Sequence, residues 1–444
     1  MNPDLINFIY LLSAILFILG IKGLTKPKTA VRGNMLSALG MLVAVVVTLT
    51  TINDVDFTYV VAGVIVGGII GGVMALKVQM TSMPQMVALL NGFGGGASLT
   101  IALAEYATRV GMAPTSLYGF FEPVSVSSSV FGDGLVGTIA ILSIGLTVLI
   151  GAVTLTGSLV AFGKLQELIK KSRGLPGGPI GNGLMLAGAL VAVYLLVNNP
   201  GNVAAMATIL SLALLLGLFL VMPIGGADMP VVIALLNSYS GIAAALAGFI
   251  LGNTVLIVAG SLVGTSGLIL TQIMCVAMNR SLANVLFGKM AAGGEEIDAD
   301  EIYAGKVTSA QPDEVAMMLE TAQRVVIVPG FGMAMAQAQH AVRELADALE
   351  KNGTEVEYGI HPVAGRMPGH MNVLLAEAEV PYDKLVEMDR INPTFEDTDV
   401  VIVIGANDVT NPMARDSEGS PIYGMPILNV DKARNVVVIK RSLS

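Results

Sequence analysis

The sequence predicts an α-helical membrane bundle of about nine spans, followed by a doubly wound α/β domain. Composition is the first observation: 54% of the 444 residues are apolar and 13% are charged, whereas about 25% are charged in an average soluble protein. Charge distribution is the second. Residues 1–290 carry 12 Lys and Arg against 8 Asp and Glu, and residues 291–444 carry 12 against 25. A membrane portion therefore precedes an acidic soluble portion, whose charge argues against a nucleic-acid partner.

Nine apolar stretches are long enough to cross a bilayer, which takes about 20 helical residues. The first has no basic segment before it and no convincing cleavage site, so it is a span rather than a signal peptide. The predicted spans are 5–24, 34–53, 57–78, 84–107, 134–163, 179–198, 202–222, 230–251 and 254–279.

Loop charges predict the orientation of these spans. We count 11 Lys and Arg in loops after odd-numbered spans and only Arg109 after an even-numbered one. Because basic loops stay in the cytoplasm, we expect the N-terminus outside and residues 280–444 inside the cell.

Glycine spacing in the third span predicts close helix packing. Gly63, Gly67 and Gly71 recur every fourth residue, which leaves one helix face without side chains and lets a neighbouring helix approach.

Two segments of the membrane portion form a parallel repeat. Met83 to Asn91 and Met229 to Asn237 both begin Met-Pro and end Leu-Leu-Asn. Each Pro fits a first helical turn, where its missing N–H costs nothing, and each Asn then lies about 10 Å into the bilayer.

Either Asn alone is compatible with a helix–helix hydrogen bond, worth about 0.6 kcal/mol. Two at matching repeat positions favour a transport pathway, because repeat interfaces often hold the transported species. The portion contains no His, so a proton would cross on water held by polar side chains or on a titrating group of another chain. Asn91, Asn237 and Asp228 are the candidate pathway residues.

Residues 309–444 alternate β-branched runs with amphipathic stretches, which is typical of a parallel, doubly wound (Rossmann-like) sheet. We place the membrane domain at 1–285, a hinge and acidic linker at 286–308, and the soluble domain at 309–444. The predicted segments are 324–328, 333–351, 355–360, 371–379, 400–404, 426–430 and 435–439.

A glycine turn follows the first predicted strand, in Pro329-Gly330-Phe331-Gly332. Gly-x-Gly between a strand and a helix lets the backbone approach a pyrophosphate. The pattern is short, but its position between strand and helix favours a dinucleotide site.

The second strand distinguishes the two nicotinamide nucleotides. An NAD site has an acid at the tip of this strand, but this sequence has His361 there, with Arg366 in the following loop and Lys440-Arg441 after the last strand. Cations in so acidic a domain suit a 2′-phosphate, which predicts NADP(H) rather than NAD(H).

Two further loops, Gly405–Val409 and Gly424-Met425, are placed at carboxyl ends of strands, where such sheets bind ligands. His340, His361 and His370 lack metal-ligand spacing and are interpreted as structural or cofactor-adjacent. With Cys275 as the one cysteine, neither a disulfide scaffold nor a cysteine-based metal site is expected, and we predict no metal.

These motifs resemble the β subunit of proton-translocating nicotinamide nucleotide transhydrogenase over essentially the whole chain. The longest shared strings are the turn from Pro329 to Ala334, the stretch from Gly359 to Ala378, Val403 to Asp408, and Lys440-Arg441-Ser442. The membrane stretches Asp228 to Gly241 and Ile273 to Ser281 also match.

The resemblance implies an oxidoreductase that holds NADP(H) while a partner α subunit, which adds further membrane helices, holds NAD(H). Hydride passes between the nucleotides as a proton crosses a bacterial cytoplasmic membrane, and the complex is a dimer of αβ units. The resemblance links Asp389 to coupling. It assigns nucleotide contacts to Gly330, Phe331, Gly332, Val363, Ala364, Gly365, Arg366, Met367, Pro368, Gly405, Ala406, Asn407, Asp408, Val409, Gly424, Met425, Lys440, Arg441 and Ser442.

Two departures from the family pattern stand out. Asn91 occupies a position where well-known members carry a His, so we expect the titrating group on the partner's helices. Members also continue past the position of Ser444 with a loop and helix that cover the nucleotide. A nucleotide-gated channel or secondary transporter stays as the alternative, whereas a purely structural anchor leaves the paired Asn and the glycine turn unexplained.

Overall fold

The computed structural model describes all residues except 1–2, 25–26, 52–56, 80–81, 112–133, 170–177, 226–227, 288–307, 367–368, 418–421 and 441–444. Within the described residues, nine helices are long and apolar enough to cross a membrane, as the sequence predicts. They are α1 (Pro3–Leu24), α2 (Pro27–Thr51), α3 (Phe57–Lys77), α4 (Met83–Val110), α5 (Gly134–Leu165), α6 (Gly178–Asn198), α7 (Val203–Val221), α8 (Met229–Leu251) and α9 (Thr254–Ala277), followed by the short α10 (Leu282–Phe287).

Helix ends depart from the predicted spans where polar turns extend a helix beyond its apolar stretch. α2 begins at Pro27 rather than at residue 34, and α4 continues to Val110 rather than ending at 107. In the last turn of α4, Arg109 Nε lies 2.7 Å from Glu105 Oε1, an i,i+4 ion pair that stabilises that turn. Hydropathy marks the apolar layer, not the end of backbone hydrogen bonding.

Glycines mediate a close helix crossing between α8 and α9. A Cβ at Gly260 would lie 2.7 Å from the carbonyl oxygen of Gly241, and Ser238 Oγ donates to the carbonyl oxygen of Gly264 at 2.6 Å. The predicted packing of the α3 stripe is not seen within the described residues: nothing lies within 4 Å of a Cβ at Gly63, Gly67 or Gly71. Regular glycine spacing therefore does not by itself show that another helix packs on that face.

Among the described residues that follow the membrane-length helices, a five-stranded sheet is parallel throughout. Its strands are β1 (Arg324–Pro329), β2 (Glu355–Ile360), β3 (Leu385–Glu387), β4 (Val400–Ile404) and β5 (Asn435–Ile439), in the order β3-β2-β1-β4-β5. The connected helices include α11 (Pro312–Glu320), α12 (Phe331–Met335), α13 (Gln339–Lys351) and α14 (His370–Glu377). Because strand order reverses between β1 and β4, a crevice is expected at their carboxyl ends.

Both faces of the sheet are covered. In β1, Val325 and Ile327 face one hydrophobic core while Val326 and Val328 face the other, and all four are fully buried. A central parallel strand buried on both sides accounts for this uninterrupted β-branched run.

Two predicted segments differ from the structure, and one strand was not predicted. The stretch 333–351 is two helices, α12 and α13, separated near Gln337, which has φ +51°. The run 426–430 is not a strand, because its residues bond irregularly, with Leu428 N donating to Val409 O. The three-residue strand β3 has no counterpart among the predicted segments, since three residues carry no detectable period.

The chain divides into two compact units. The first comprises Met1–Gln79, Gln85–Pro223 and Ile233–Leu270, and the second comprises Met80–Pro84, Ile224–Val232 and Thr271–Ser444. Most of the helical bundle thus belongs to the first unit, and the sheet belongs to the second.

Candidate functional site

The glycine turn after β1 packs directly on the loop after β4. Gly330 N donates to Ile404 O and Gly332 N to Gly405 O, both at 2.8 Å. A Cβ on Gly332 would lie 2.7 Å from Cα of Gly405, and one on Gly330 would meet Cα of Ala406. Gly405 itself has φ +62°. Only glycines allow these two loops to meet at the switch point.

The loop after β2 is held by two histidine rings. Val363 N donates to His361 Nδ1 and Arg366 N donates to His370 Nδ1, each at 3.2 Å. Gly365, at φ +100°, lies against the His370 ring. Met367 and Pro368, which belong to the same predicted loop, fall outside the described residues.

Arg366 connects this loop to the glycine turn. Its guanidinium carbon lies 4.2 Å from the centroid of the Phe331 ring, a cation–π contact. The loop after β2 and the start of α12 therefore form one surface carrying a positive charge.

Both histidines are buried, at 2% exposure for His361 and 0% for His370. Burial and, as the smaller cause, the nearby Arg366 charge together lower the pKa of His370 to about 4. Burial also lowers the pKa of His361, opposed by its hydrogen bond to Pro426 O. Both rings are thus neutral at pH 7, as accepting Nδ1 atoms require.

Lys440 follows β5 at the same edge of the sheet. Its Nζ lies 2.6 Å from Asn407 Oδ1, and Asn407 Nδ2 lies 3.2 Å from Asp408 Oδ1. Burial lowers the pKa of Lys440, and the Asp408 charge opposes that shift. Arg441 and Ser442, predicted beside it, fall outside the described residues.

The segment from Gly424 to Leu428 returns to this edge. Gly424 has φ +78° and donates to Ala414 O at 2.7 Å, and the carbonyl oxygen of Pro426 lies 2.9 Å from His361 Nε2. Met425 packs beside the core that contains Ala406 and Val409. These contacts fix the position of the 424–428 segment, although the segment forms no helix or strand.

Asp389 lies in the short helix Met388–Ile391 directly after β3, where its side chain is exposed. It therefore also occupies the carboxyl edge of the sheet. The structure gathers there the described residues of all the predicted nucleotide loops.

In the first unit, the two repeat asparagines lie on neighbouring helices. Asn91 in α4 is 6% exposed and donates from Nδ2 to the carbonyl oxygen of Ile233 in α8 at 3.2 Å. In helical geometry that same carbonyl accepts the N–H of Asn237, four residues later. Asn237 is half-buried. The Asn91 side chain thus lies at the same helix crossing as the backbone of Asn237, and it joins the two helices through a hydrogen bond.

Asp228 precedes α8 and forms an ion pair in the second unit. Its Oδ2 lies 2.9 Å from Arg280 Nη1, while its buried Oδ1 has no hydrogen-bond partner within the described residues. In the sequence Arg280 is recognisable only as a loop charge. The ion pair is not predictable from it, because the two residues are 52 positions apart. The only sequence signal was the shared presence of both in family-like strings.

Comparison with known proteins fits this arrangement. A family model described as NAD(P) transhydrogenase beta subunit matches residues 6–444. Two curated relatives, both named NAD(P) transhydrogenase subunit beta and both from Rhodospirillum rubrum, are 45% identical over 446 residues, covering 100% of this chain and 92% of each relative. The chain belongs to the NAD(P) transhydrogenase beta subunit family.

Membership confirms the resemblance predicted from the motifs. The transhydrogenase family name implies an oxidoreductase that uses NAD(H) and NADP(H), and a beta subunit implies an alpha partner. The nine apolar helices among the residues that the structure describes fit a membrane protein.

Proposed function

We propose that this chain binds NADP(H) at the carboxyl edge of β1 and β4 and exchanges hydride with NAD(H) held by an alpha subunit, while a proton crosses the membrane. The observation that carries this proposal is the switch-point edge itself. There the Gly330–Gly332 turn meets Gly405, beside the cations Arg366 and Lys440. The strand order β3-β2-β1-β4-β5 is that of dinucleotide-binding sheets through their fifth strand.

Preference for NADP(H) follows from charge. Lys440 and Arg366 provide positive charge at an edge of a portion whose balance is strongly acidic, and His361, rather than an acid, follows β2. A carboxylate there would accept from a ribose 2′-hydroxyl but repel a 2′-phosphate. We assign the 2′-phosphate to Lys440, with Arg441 and Ser442 beside it.

Bound NADP(H) supplies the nicotinamide ring that gives or accepts the hydride. The chain's own residues need no acid or base for that step, because positioning the two rings is the catalysis. The rigid contact of the glycine turn with Gly405, and the loop held by His361 and His370, provide fixed walls for that purpose.

Proton coupling is assigned to the membrane asparagines and to the ends of their helices. At the α4–α8 crossing Asn91 donates to the Ile233 carbonyl, which in the helix also accepts the backbone N–H of Asn237. Water or a titrating group of the alpha subunit would complete the path. Asp228 and Arg280 belong to the same compact unit as the sheet, as does Asp389. Protonation is then linked to opening and closing of the nucleotide site. A charge crossing 100 mV supplies about 2.3 kcal/mol.

We further propose the arrangement predicted above. Residues 1–285 lie in a bacterial cytoplasmic membrane with the N-terminus outside, and residues 309–444 lie in the cytoplasm. A linker at 286–308, most of which lies outside the described residues, joins them. Two αβ units form the complex.

The test is co-reconstitution of the full chain with an alpha subunit in proteoliposomes. We expect NADH to reduce NADP⁺ and the reaction to move protons, followed with a pH-sensitive dye. The alternative, a nucleotide-gated transporter, predicts tight NADPH binding and nucleotide-dependent ion flux with no hydride transfer. That outcome would overturn the proposed function.

A further inference from the structure

His361 makes hydrogen bonds to two different loops of the candidate site. Its Nε2 lies 2.9 Å from the carbonyl oxygen of Pro426, and its Nδ1 accepts the N–H of Val363 at 3.2 Å. A carbonyl oxygen can only accept and an amide N–H can only donate, so one tautomer satisfies both contacts: the neutral ring with its proton on Nε2. Burial favours that neutral form, because it lowers the pKa of His361.

The two partners of His361 are distant in sequence. Val363 begins the loop after β2. Arg366 lies in the same loop, and its guanidinium stacks on the Phe331 ring. Pro426 follows Gly424-Met425, in a segment without regular secondary structure, 65 residues after His361. Neither segment belongs to a strand. Backbone bonds such as Gly424 N to Ala414 O hold the second segment, and the two hydrogen bonds of the His361 ring connect it to the first.

We propose that His361 is a positioning residue that joins the 363–366 loop to the 424–426 segment and thereby sets the affinity for NADP(H). This inference rests on the proposed function, since both segments are assigned there to the nucleotide. His361 itself is 2% exposed. It therefore affects the nucleotide through the position of these two backbone segments and not by direct contact.

The chain contains a matched control. Asn392 also holds the returning segment, with Nδ2 donating to Ile427 O at 3.0 Å and Oδ1 accepting from Asn429 N at 3.1 Å. These bonds lie one to three residues beyond Pro426 and do not reach the 363–366 loop. Loosening the segment through Asn392 therefore leaves the junction with Val363 intact.

The experiment compares His361→Phe, His361→Asn and Asn392→Ala in the full chain assembled with an alpha subunit. Phe removes both hydrogen bonds. Asn keeps an oxygen that accepts the N–H two residues on, as in an Asx turn, but is too short for Pro426. We expect His361→Phe to raise the KM for NADP⁺ about tenfold, equivalent to about 1.4 kcal/mol, with the KM for NADH unchanged. His361→Asn should recover part of that loss, and Asn392→Ala should change the KM less than twofold.

Amide hydrogen exchange of the nucleotide-free chain tests the junction without any nucleotide. We expect His361→Phe to increase exchange in both 363–366 and 424–426, and Asn392→Ala only in the second. Equal KM changes in His361→Phe and Asn392→Ala, or faster exchange in one segment alone for His361→Phe, would overturn the inference. A wild-type chain that binds no NADPH while both exchange changes occur would overturn the proposed function and leave the junction established.

Discussion

Lys440 is the single side chain on which the nucleotide preference most depends. It lies within 2.6 Å of Asn407 Oδ1 at the carboxyl edge of the sheet. A lysine that contacts a phosphate makes a charge-assisted hydrogen bond, worth about 1.5–3 kcal/mol.

We therefore expect Lys440→Ala to weaken NADPH binding by about 10- to 100-fold, measured by calorimetry on the complex with an alpha subunit. NADH binding to that partner should not change. Lys432→Ala is the control, because Lys432 pairs with Glu396 at 3.2 Å as an exposed surface contact. Equal weakening of NADPH and NADH binding would remove the 2′-phosphate assignment.

Asn91 is the corresponding residue in the membrane. Its amide donates to the Ile233 carbonyl, and Leu at this position would remove that hydrogen bond and the polar amide from the α4–α8 crossing. We expect Asn91→Leu to abolish proton-coupled turnover in proteoliposomes while NADPH still binds.

Asn182→Leu provides the comparison, since Asn182 in α6 is equally buried but lies outside the repeat. It should retain proton movement. Normal proton movement in Asn91→Leu would contradict the proposed pathway.

At the scale of the element, glycine spacing and glycine packing are separate properties. α3 has the most regular stripe, yet an added Cβ would meet no described atom at Gly63, Gly67 or Gly71. At Gly260 in α9, the same atom would lie 2.7 Å from the Gly241 carbonyl oxygen and 2.9 Å from Cα of Ala245. Backbone atoms cannot rotate away.

Gly260→Ala should therefore destabilise the bundle by about 1–3 kcal/mol, the usual cost of overpacking. Thermal unfolding in detergent would show it as a lower midpoint. Gly67→Ala should leave the midpoint unchanged or slightly higher, because Ala favours the helix over Gly. A lower midpoint for Gly67→Ala alone would mean that α3, and not α9, carries the close contact.

At the scale of the whole molecule, the two buried histidines link stability to pH. The folded-state pKa of His370 is about 4, below the unfolded value of about 6.5. Between these values the unfolded chain binds more protons than the folded chain, so stability falls as pH falls from about 6.5 to about 4. Burial also lowers the pKa of His361, which therefore acts in the same direction. The slope from one titrating ring cannot exceed about 1.4 kcal/mol per pH unit.

We expect amide protection in β1 to β5, corrected for intrinsic exchange, to decrease from pH 7.5 to pH 5.5. His370→Gln should reduce that dependence, because Gln does not titrate. His340→Gln should leave it unchanged, because His340 is exposed. An identical pH dependence in His370→Gln would exclude a contribution from this ring.

Much of this protein follows from sequence because its signals are local. Nine apolar stretches, the strands 324–328, 355–360, 400–404 and 435–439, and the Gly330–Gly332 turn each depend on neighbouring residues, and hydrophobic period or backbone freedom identifies them. The family was also recognisable, because its strings are long.

Tertiary structure alone decided the contacts between distant segments. The ion pair of Asp228 with Arg280, the junction of Val363 and Pro426 through His361, and the packing of α8 on α9 join residues that no local period relates. The same holds for β3 and for the irregular 426–430 segment, whose backbones are placed by partners elsewhere in the chain. Most of the helices, strands and turns were predictable from the sequence, because they depend on short-range propensity and burial pattern. Which of them meet was decided by packing, because a contact depends on the shapes of both surfaces.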